Sequence, residues 1–330
     1  MFKWSKFMKA SLAVAAVSAT MLVANAANAE VRVAFGDIAS VESLHLLAAL
    51  ERAREKGVEL EITYLKSEDI AAQAVVSGQA DIGIGGPYAL MQKVKVPVRI
   101  FLQLSTLRFY PAADASLYKT WKDMDGQEIA VHSRGSGTEA LVKLVEQRQG
   151  IKFSKISYIP GSEVRTGALL QGNVKATIVD ASGRRLLESQ APGKFTILPL
   201  EGVNATDEAF FATTEFLEAN AADVDKITEA VLETWRELAA KPELITEWRT
   251  KYSLLPDLPE GQVAEIKPYF DELAKDKALP LNGGGAAAAK DDFSFYALSG
   301  QLTGEPASLK VEDFWDLRSL DRVTAKLGTK

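Results

Sequence analysis

A chain of 330 residues with 38 basic and 44 acidic side chains carries a formal charge of −6, and it contains two His and no Cys. The lack of Cys excludes a disulfide scaffold, thiolate metal sites and cysteine nucleophiles. The acidic balance argues against nucleic acid or an anionic lipid surface as a partner. Stability has to come from hydrophobic burial, and a chain of this length can supply two domains with cores.

Residues 1–29 read as a secretory signal. Lys3, Lys6 and Lys9 form a basic start, Ala10 to Val23 is apolar or small, and Ala24-Asn25-Ala26-Ala27-Asn28-Ala29 offers two cleavage sites of the A-x-A type. Cleavage after Ala29 would leave Glu30 first. The apolar run is about 14 residues, short of the roughly 20 a membrane-spanning helix needs. The expectation is export of a mature protein to a bacterial periplasm.

Val31 to Phe35 alternates like a strand and stops at Gly36-Asp37. A helix with Leu44, Leu47, Ala48 and Leu50 on one face runs to Gly57. Val58 to Leu65 is a second strand, and Ser67 caps a helix that ends at Gly78. Ala80 to Ile84 is a third strand, broken by Gly85-Gly86-Pro87, and Pro87 opens a short helix to Gln92. Val96 to Leu107 is a long β-type run. A second series repeats the alternation: strand 128–132, helix 137–149, strand 155–159, helix 162–171, strand 175–180, a helix from Ser182, and strand 195–199. Ala74 to Ile84 aligns with Ala168 to Ile178, each reading helix end, Gly, polar residue, strand. Two similar α/β lobes with mostly parallel sheets follow. From Asn220 the pattern is helical (221–240, 242–250, 259–275), with Trp235, Trp248 and Trp315 assigned to core. Asn282 to Lys290 is Gly/Ala-rich and reads as a mobile loop.

No enzyme motif stands out. His45 and His132 have no metal-ligand spacing, no Gly-x-Ser-x-Gly is present, and Gly83-Ile84-Gly85-Gly86 lacks the third glycine of a dinucleotide fingerprint. No cofactor is expected. Binding signals are more convergent. In open α/β sheets, ligands bind outside the carboxyl ends of strands. Here those ends carry Gly and hydroxyl residues at 35–40, 85–88, 133–138, 158–162 and 180–182. The most developed is Ser133-Arg134-Gly135-Ser136-Gly137-Thr138, where a strand runs into a helix start with free amides and a positive dipole end, the parts of an anion cradle.

Ser77-Gly78-Gln79-Ala80-Asp81-Ile82-Gly83-Ile84-Gly85-Gly86-Pro87, then Asp123 to Val131, then Ser133 to Gly137 resemble a known family: the periplasmic solute-binding proteins of ABC importers for nitrate, sulfonates, taurine and thiamine pyrimidines. The likeness runs from about residue 31 to 240, and Val311 to Leu317 resembles the family's last helix. It implies a periplasmic-binding-protein type II fold, two doubly wound lobes joined by two hinge crossovers and closing on a solute. Lobe one would be 30–115 plus 210–330 and lobe two 116–209, with hinges near Ala112–Tyr118 and Ala205–Thr213.

On that resemblance, residues 133–138 hold the solute from lobe two, and Phe35, Ser40, Gly86, Pro87 and Tyr88 face them. Arg108 and Arg134 are candidate partners for an anion. Phe109, Tyr110, Phe210 and Phe211 are candidate aromatic walls. Arg165 reads as a surface or interlobe salt bridge. Asp180 either meets the solute or caps the next helix, the cap being favoured, and Asp81 reads as structural. No Trp lies near the expected site, which disfavours a simple alkylsulfonate and favours an aromatic or larger carboxylate. The expected role is capture of a small anionic organic solute by a monomer that delivers it to an ABC permease. The alternatives are pyrimidine-precursor binding, an enzyme on the same fold, or a sensor subunit.

Overall fold

The computed structural model describes residues 30–330; the expected signal segment and its cleavage site lie outside the described residues. The first lobe begins with β1 (Val31–Phe35), α1 (Leu44–Glu55), β2 (Leu60–Tyr64), α2 (Glu68–Val76), β3 (Ile82–Gly85), α3 (Tyr88–Met91) and β4 (Val98–Gln103). The chain then crosses to build β5 (Tyr110–Asp114), β6 (Glu128–Val131), α4 (Gly137–Gln149), β7 (Lys155–Tyr158), α5 (Ser162–Leu170), β8 (Ala176–Val179), α6 (Ala181–Gln190) and β9 (Phe195–Ile197). It returns through β10 (Ala209–Thr213) and finishes in α7 (Thr214–Ala219), α8 (Ala221–Ala240), α9 (Leu244–Lys251), α10 (Glu260–Lys275), α11 (Gly285–Leu298) and α12 (Arg318–Leu327). None of these helices is long and apolar enough to cross a membrane.

The two sheets have one plan. The first is ordered β2-β1-β3-β10-β4 and the second β7-β6-β8-β5-β9. In each, three parallel strands are followed by one antiparallel strand that arrives from the other half of the chain. β10 pairs antiparallel with β3 and β4, and β5 pairs antiparallel with β8 and β9. The internal similarity seen at 74–84 and 168–178 has its structural counterpart here. Gly78 (φ 72°) and Gly172 (φ 75°) end α2 and α5 in the left-handed conformation that glycine adopts at low cost. They lead into β3 and β8, at the centre of their respective sheets.

Sheet membership moves the first boundary from the one expected. Tyr110 to Ala113 hydrogen-bond with Val179 to Ala176, so β5 belongs to the second sheet and the crossover precedes it. Ala112–Tyr118 therefore lies inside lobe two and is no hinge. The crossovers run instead through 104–109 and 198–208, and they pair with each other: Thr106 bridges Thr206, the Leu107 amide donates to the Ala205 carbonyl at 2.9 Å, and the Leu104 amide donates to that of Glu208 at 2.9 Å. Two antiparallel extended segments make a ribbon between the lobes, with Asp207 and Glu208 on it.

Two further expectations are corrected. Residues 285–298 form a helix where a mobile loop was expected, because Ala286 to Ala289 are strong helix formers. The glycines before them serve packing: a Cβ on Gly283 would come within 2.4 Å of Leu102, at a φ of 67°. Residues 311–317 are no helix. A 3₁₀ turn at Val311–Asp313 leads to Trp315, which extends the sheet by bridging Ile100, while the Ile100 amide donates to Phe314 and its carbonyl accepts from Asp316. The last helix is α12.

The helical tail covers both faces of the first sheet, α8 and α12 on the side of Phe101 and Phe210 and α11 on the side of Ile100 and Phe211. Trp235 on α8 is fully buried and its indole N–H donates to the Leu104 carbonyl at 3.0 Å, fixing the helix to the start of the hinge. Tyr88 stacks on Tyr296 with centroids 4.5 Å apart. Its hydroxyl donates to buried Asp292 at 2.6 Å and accepts from the Trp315 indole at 2.7 Å. Asp292 also accepts from the Thr206 amide at 2.6 Å, and Tyr296 donates to the Thr206 carbonyl at 2.6 Å, so α11 holds the hinge ribbon at its centre. Burial pushes Asp292 up to about 6.

Candidate functional site

The carboxyl ends of β1, β3, β6 and β8 meet in the cleft between the lobes, where the hinge ribbon forms the floor. Two adjoining cavities lie there, sharing Glu42, Asp207 and Glu208.

The lobe-two wall is the loop 132–138. Ser136 is the N-cap of α4: its hydroxyl accepts from the Glu139 amide at 3.3 Å and donates to the Ser133 carbonyl at 2.8 Å. The Thr138 hydroxyl accepts from the His132 amide at 2.9 Å, and the Gly135 amide donates to the Glu139 carboxylate at 2.7 Å. The loop faces lobe one closely. Gly135 (φ 78°) stands 3.1 Å from Ala89 at its Cβ position, and a Cβ on Gly137 would lie 2.5 Å from Leu107 and 2.7 Å from a carboxylate oxygen of Asp207. The Ser133 hydroxyl accepts from the Glu68 amide at 3.3 Å, and Gln301 donates to the Ser136 carbonyl at 3.2 Å. His132 adds a third link: Nε2 is 3.1 Å from the Gly36 carbonyl, and Nδ1 accepts from the Gly161 amide at 3.3 Å. Those partners place the proton on Nε2, and burial pushes the imidazole below its usual range, keeping it neutral.

The opposite wall is acidic. Asp37 follows β1, Glu42 precedes α1, Glu68 opens α2, and Asp207 and Glu208 come from the ribbon. Glu68 accepts from the Gly86 amide. Among the described residues no donor reaches the carboxylates of Glu42, Asp207 or Glu208. Burial, and then repulsion among these acids, pushes all three well above the usual carboxylate range. Glu163, at the start of α5, is pushed up to about 7 chiefly by burial. The compensating cation is Arg165 on α5, 2% exposed, whose Nε donates to the Ile178 carbonyl at 2.8 Å and Nη1 to that of Ile159 at 3.0 Å.

Across the mouth of the cleft, α6 faces α10 through ions. Arg185 pairs with Glu265 at 3.0 Å and with Glu272; Arg184 reaches Glu272 at 3.5 Å. Arg108, on the first crossover, pairs with Asp276 at 2.6 Å and Glu272 at 3.7 Å.

The expected residues divide. Phe35, Ser40, Phe109, Thr138 and Asp180 line the cleft, and Arg108 lines it while engaged with α10. Asp180 also caps α6, accepting from the Gly183 amide at 2.7 Å. Ser133, Gly135, Ser136 and Gly137 lie at the lobe–lobe contact with their polar groups largely spent within the loop. Six expected residues are elsewhere. Arg134 is exposed and lies 5.3 Å over the Tyr158 ring, because its side chain leaves the loop away from the cleft. Tyr88 is in the α11 network, and Pro87 caps α3. Phe210 stacks on Phe101 at 5.5 Å in the sheet core, as β10 alternation requires, and Phe211 covers Gly83 on the other face. Tyr110 lies beneath Arg184 at 4.3 Å. Asp81 is structural, paired with Arg32 at 2.7 Å. Sequence reasoning missed Glu42, Glu68, Asp207 and Glu208, and it took Arg165 for a surface or interlobe ion pair. A charged residue in a polar stretch carries no local mark of burial.

Two α/β lobes on a two-segment hinge, with a cavity lined from both, define the type II periplasmic-binding-protein fold. The chain shares it with a structure from Bordetella bronchiseptica RB50 (TM-score 0.72, 20% identity, 91% of this chain and 98% of that one). Others are the alkanesulfonate-binding protein SsuA of Xanthomonas axonopodis pv. citri bound to MOPS (0.61, 15%, 87% and 98%) and the periplasmic nitrate-binding protein NrtA of Synechocystis PCC 6803 (0.63, 12%, 91% and 89%). No curated protein sequence matches. The family model described as "NMT1/THI5 like" matches residues 47–245, and the chain belongs to that family.

Proposed function

We propose that this chain is the extracytoplasmic solute-binding component of an ABC importer, acting as a monomer that closes on a small organic solute and presents it to the permease. The observation that carries the reading is the cavity between two lobes joined by paired crossovers, lined by both lobes and the hinge. Solute touching both walls favours the closed form over the open one, and that difference in affinity drives closure. Two further readings belong to this proposal: export by the 1–29 signal, and a solute carrying a sulfonate or carboxylate. Support for the acidic group comes from Arg165, a guanidinium buried in the cleft wall beside Thr138.

The test is a thermal-shift screen of the mature protein against sulfonates, aromatic and aliphatic carboxylates, nitrate and pyrimidines, followed by small-angle scattering with each hit. A ligand should raise the melting temperature by mass action and reduce the radius of gyration. A screen of these classes without a hit, or hits that leave the molecule's dimensions unchanged, would count against solute capture by closure.

A further inference from the structure

The charge of the cleft is out of balance in a definite direction. Asp37, Glu42, Glu68, Asp180, Asp207 and Glu208 line the two cavities, against Arg165 and Arg108. Arg108 is engaged with Asp276 and Glu272 on α10, and Arg165 gives two of its donors to backbone carbonyls. Glu68 and Asp180 each accept from a backbone amide. Glu42, Asp207 and Glu208 are half-buried on the cavity walls and accept from nothing among the described residues. One more polar group in the same cavity is unmatched: His45, 6% exposed, has an Nδ1 with no partner. Unmet acceptors around a space shared by both lobes mark the position of a donor that comes from outside the chain.

Resting on the reading of this cleft as a solute site, we propose that the solute carries a protonated nitrogen, an ammonium or amidinium group, held by Glu42, Asp207 and Glu208. An organic cation fits better than a metal ion. Among the described residues no group of three or more acidic or imidazole side chains is placed to hold a metal, and Leu104, Tyr269, Leu273 and Leu279 give the same cavity an apolar side suited to a hydrocarbon or aromatic body. Burial and mutual repulsion raise these carboxyls, so loading a cation should be accompanied by release of protons.

Two matched pairs test this: benzamidine against benzoate, and 4-aminobutanoate against butanoate, titrated calorimetrically at millimolar concentration in two buffers of different ionisation enthalpy. The nitrogen-bearing member of each pair should bind the more tightly and release protons. Asp207→Asn and Glu208→Gln should each lower its affinity about tenfold, the loss of one charge-assisted hydrogen bond. Both variants keep the shape of the side chain and take away an acid crowded by other acids, so each empty variant should melt at or above the parent. Tighter binding of benzoate and butanoate would overturn the cationic group while leaving solute capture standing. Equal affinities in parent and variants, or no binding by either nitrogen-bearing probe, would overturn it too; solute capture itself is then decided by the wider screen and the scattering.

Discussion

The two walls of the cleft are made in the same way, each a strand end running into a helix start, yet they are finished oppositely. On the lobe-two wall, Ser133, Ser136, Thr138 and Glu139 satisfy one another and the backbone around them. On the facing wall, Glu42, Asp207 and Glu208 are half-buried and have no donor among the described residues. Short hydroxyl side chains bond readily to nearby backbone, so a Ser/Thr/Gly run closes on itself even where it looks like a cradle. Longer carboxylates projected from separate segments cannot. The difference teaches where this molecule carries unspent binding capacity: on the acidic wall and the hinge.

The largest test of the contrast is Arg165→Met. It leaves the buried Ile178 and Ile159 carbonyls without their donor, at about 1–3 kcal/mol for each unsatisfied acceptor, a fall in melting temperature on the order of 10 °C. A variant that melts with the parent would mean that this guanidinium does not hold the cleft wall together. Next is the pH dependence of that empty protein. Glu163 titrates from an ordinary value of 4.5 up to about 7 because it is buried, and Glu42, Asp207 and Glu208 move in the same direction. A raised folded-state value gives stability that is full below the unfolded value and lost as pH climbs through the folded one. The melting temperature should therefore fall by several degrees between about pH 4.5 and pH 7, and a flat or rising profile in that window would contradict the acidic wall.

Ser136→Ala breaks the other wall. Loss of the cap costs about 1 kcal/mol of stability, while affinity for a solute is kept, because the hydroxyl points into its own loop. A large loss of affinity with unchanged melting would restore the cradle expected from the sequence. Smallest is Arg134→Ala, within about 0.5 kcal/mol of the parent as for other surface substitutions, with no preference between anionic and neutral ligands. A selective loss of anion binding would place Arg134 in the cleft after all.

Much of the fold was legible because it is written in local periodicity. Strand–helix alternation, the glycines at 78 and 172, and the likeness of 74–84 to 168–178 all lead to two lobes of one plan. What failed was non-local. Tyr110 to Asp114 has no local mark showing which sheet it will join; only hydrogen bonding to Ala176–Val179 decides it. The site was legible as a place and less so as chemistry. Strand ends pointed to the cleft, and Phe35, Ser40, Phe109, Thr138 and Asp180 are in it. Glu42 and the Asp207-Glu208 pair look in the sequence like any solvated acids, and come to line the cleft only when a hinge and a helix start bring them together.

The arginines of α6 and the first crossover lie opposite Glu265, Glu272 and Asp276 of α10 at the open edge of the cleft. Such contacts act through partly hydrated space, where dissolved salt weakens attraction over about 8–10 Å. If the lobes open and close as proposed, the resting balance between gaping and shut molecules is tied to the ionic strength of the medium. Dilute buffer should then favour the shut form of the empty protein, and brine the gaping one.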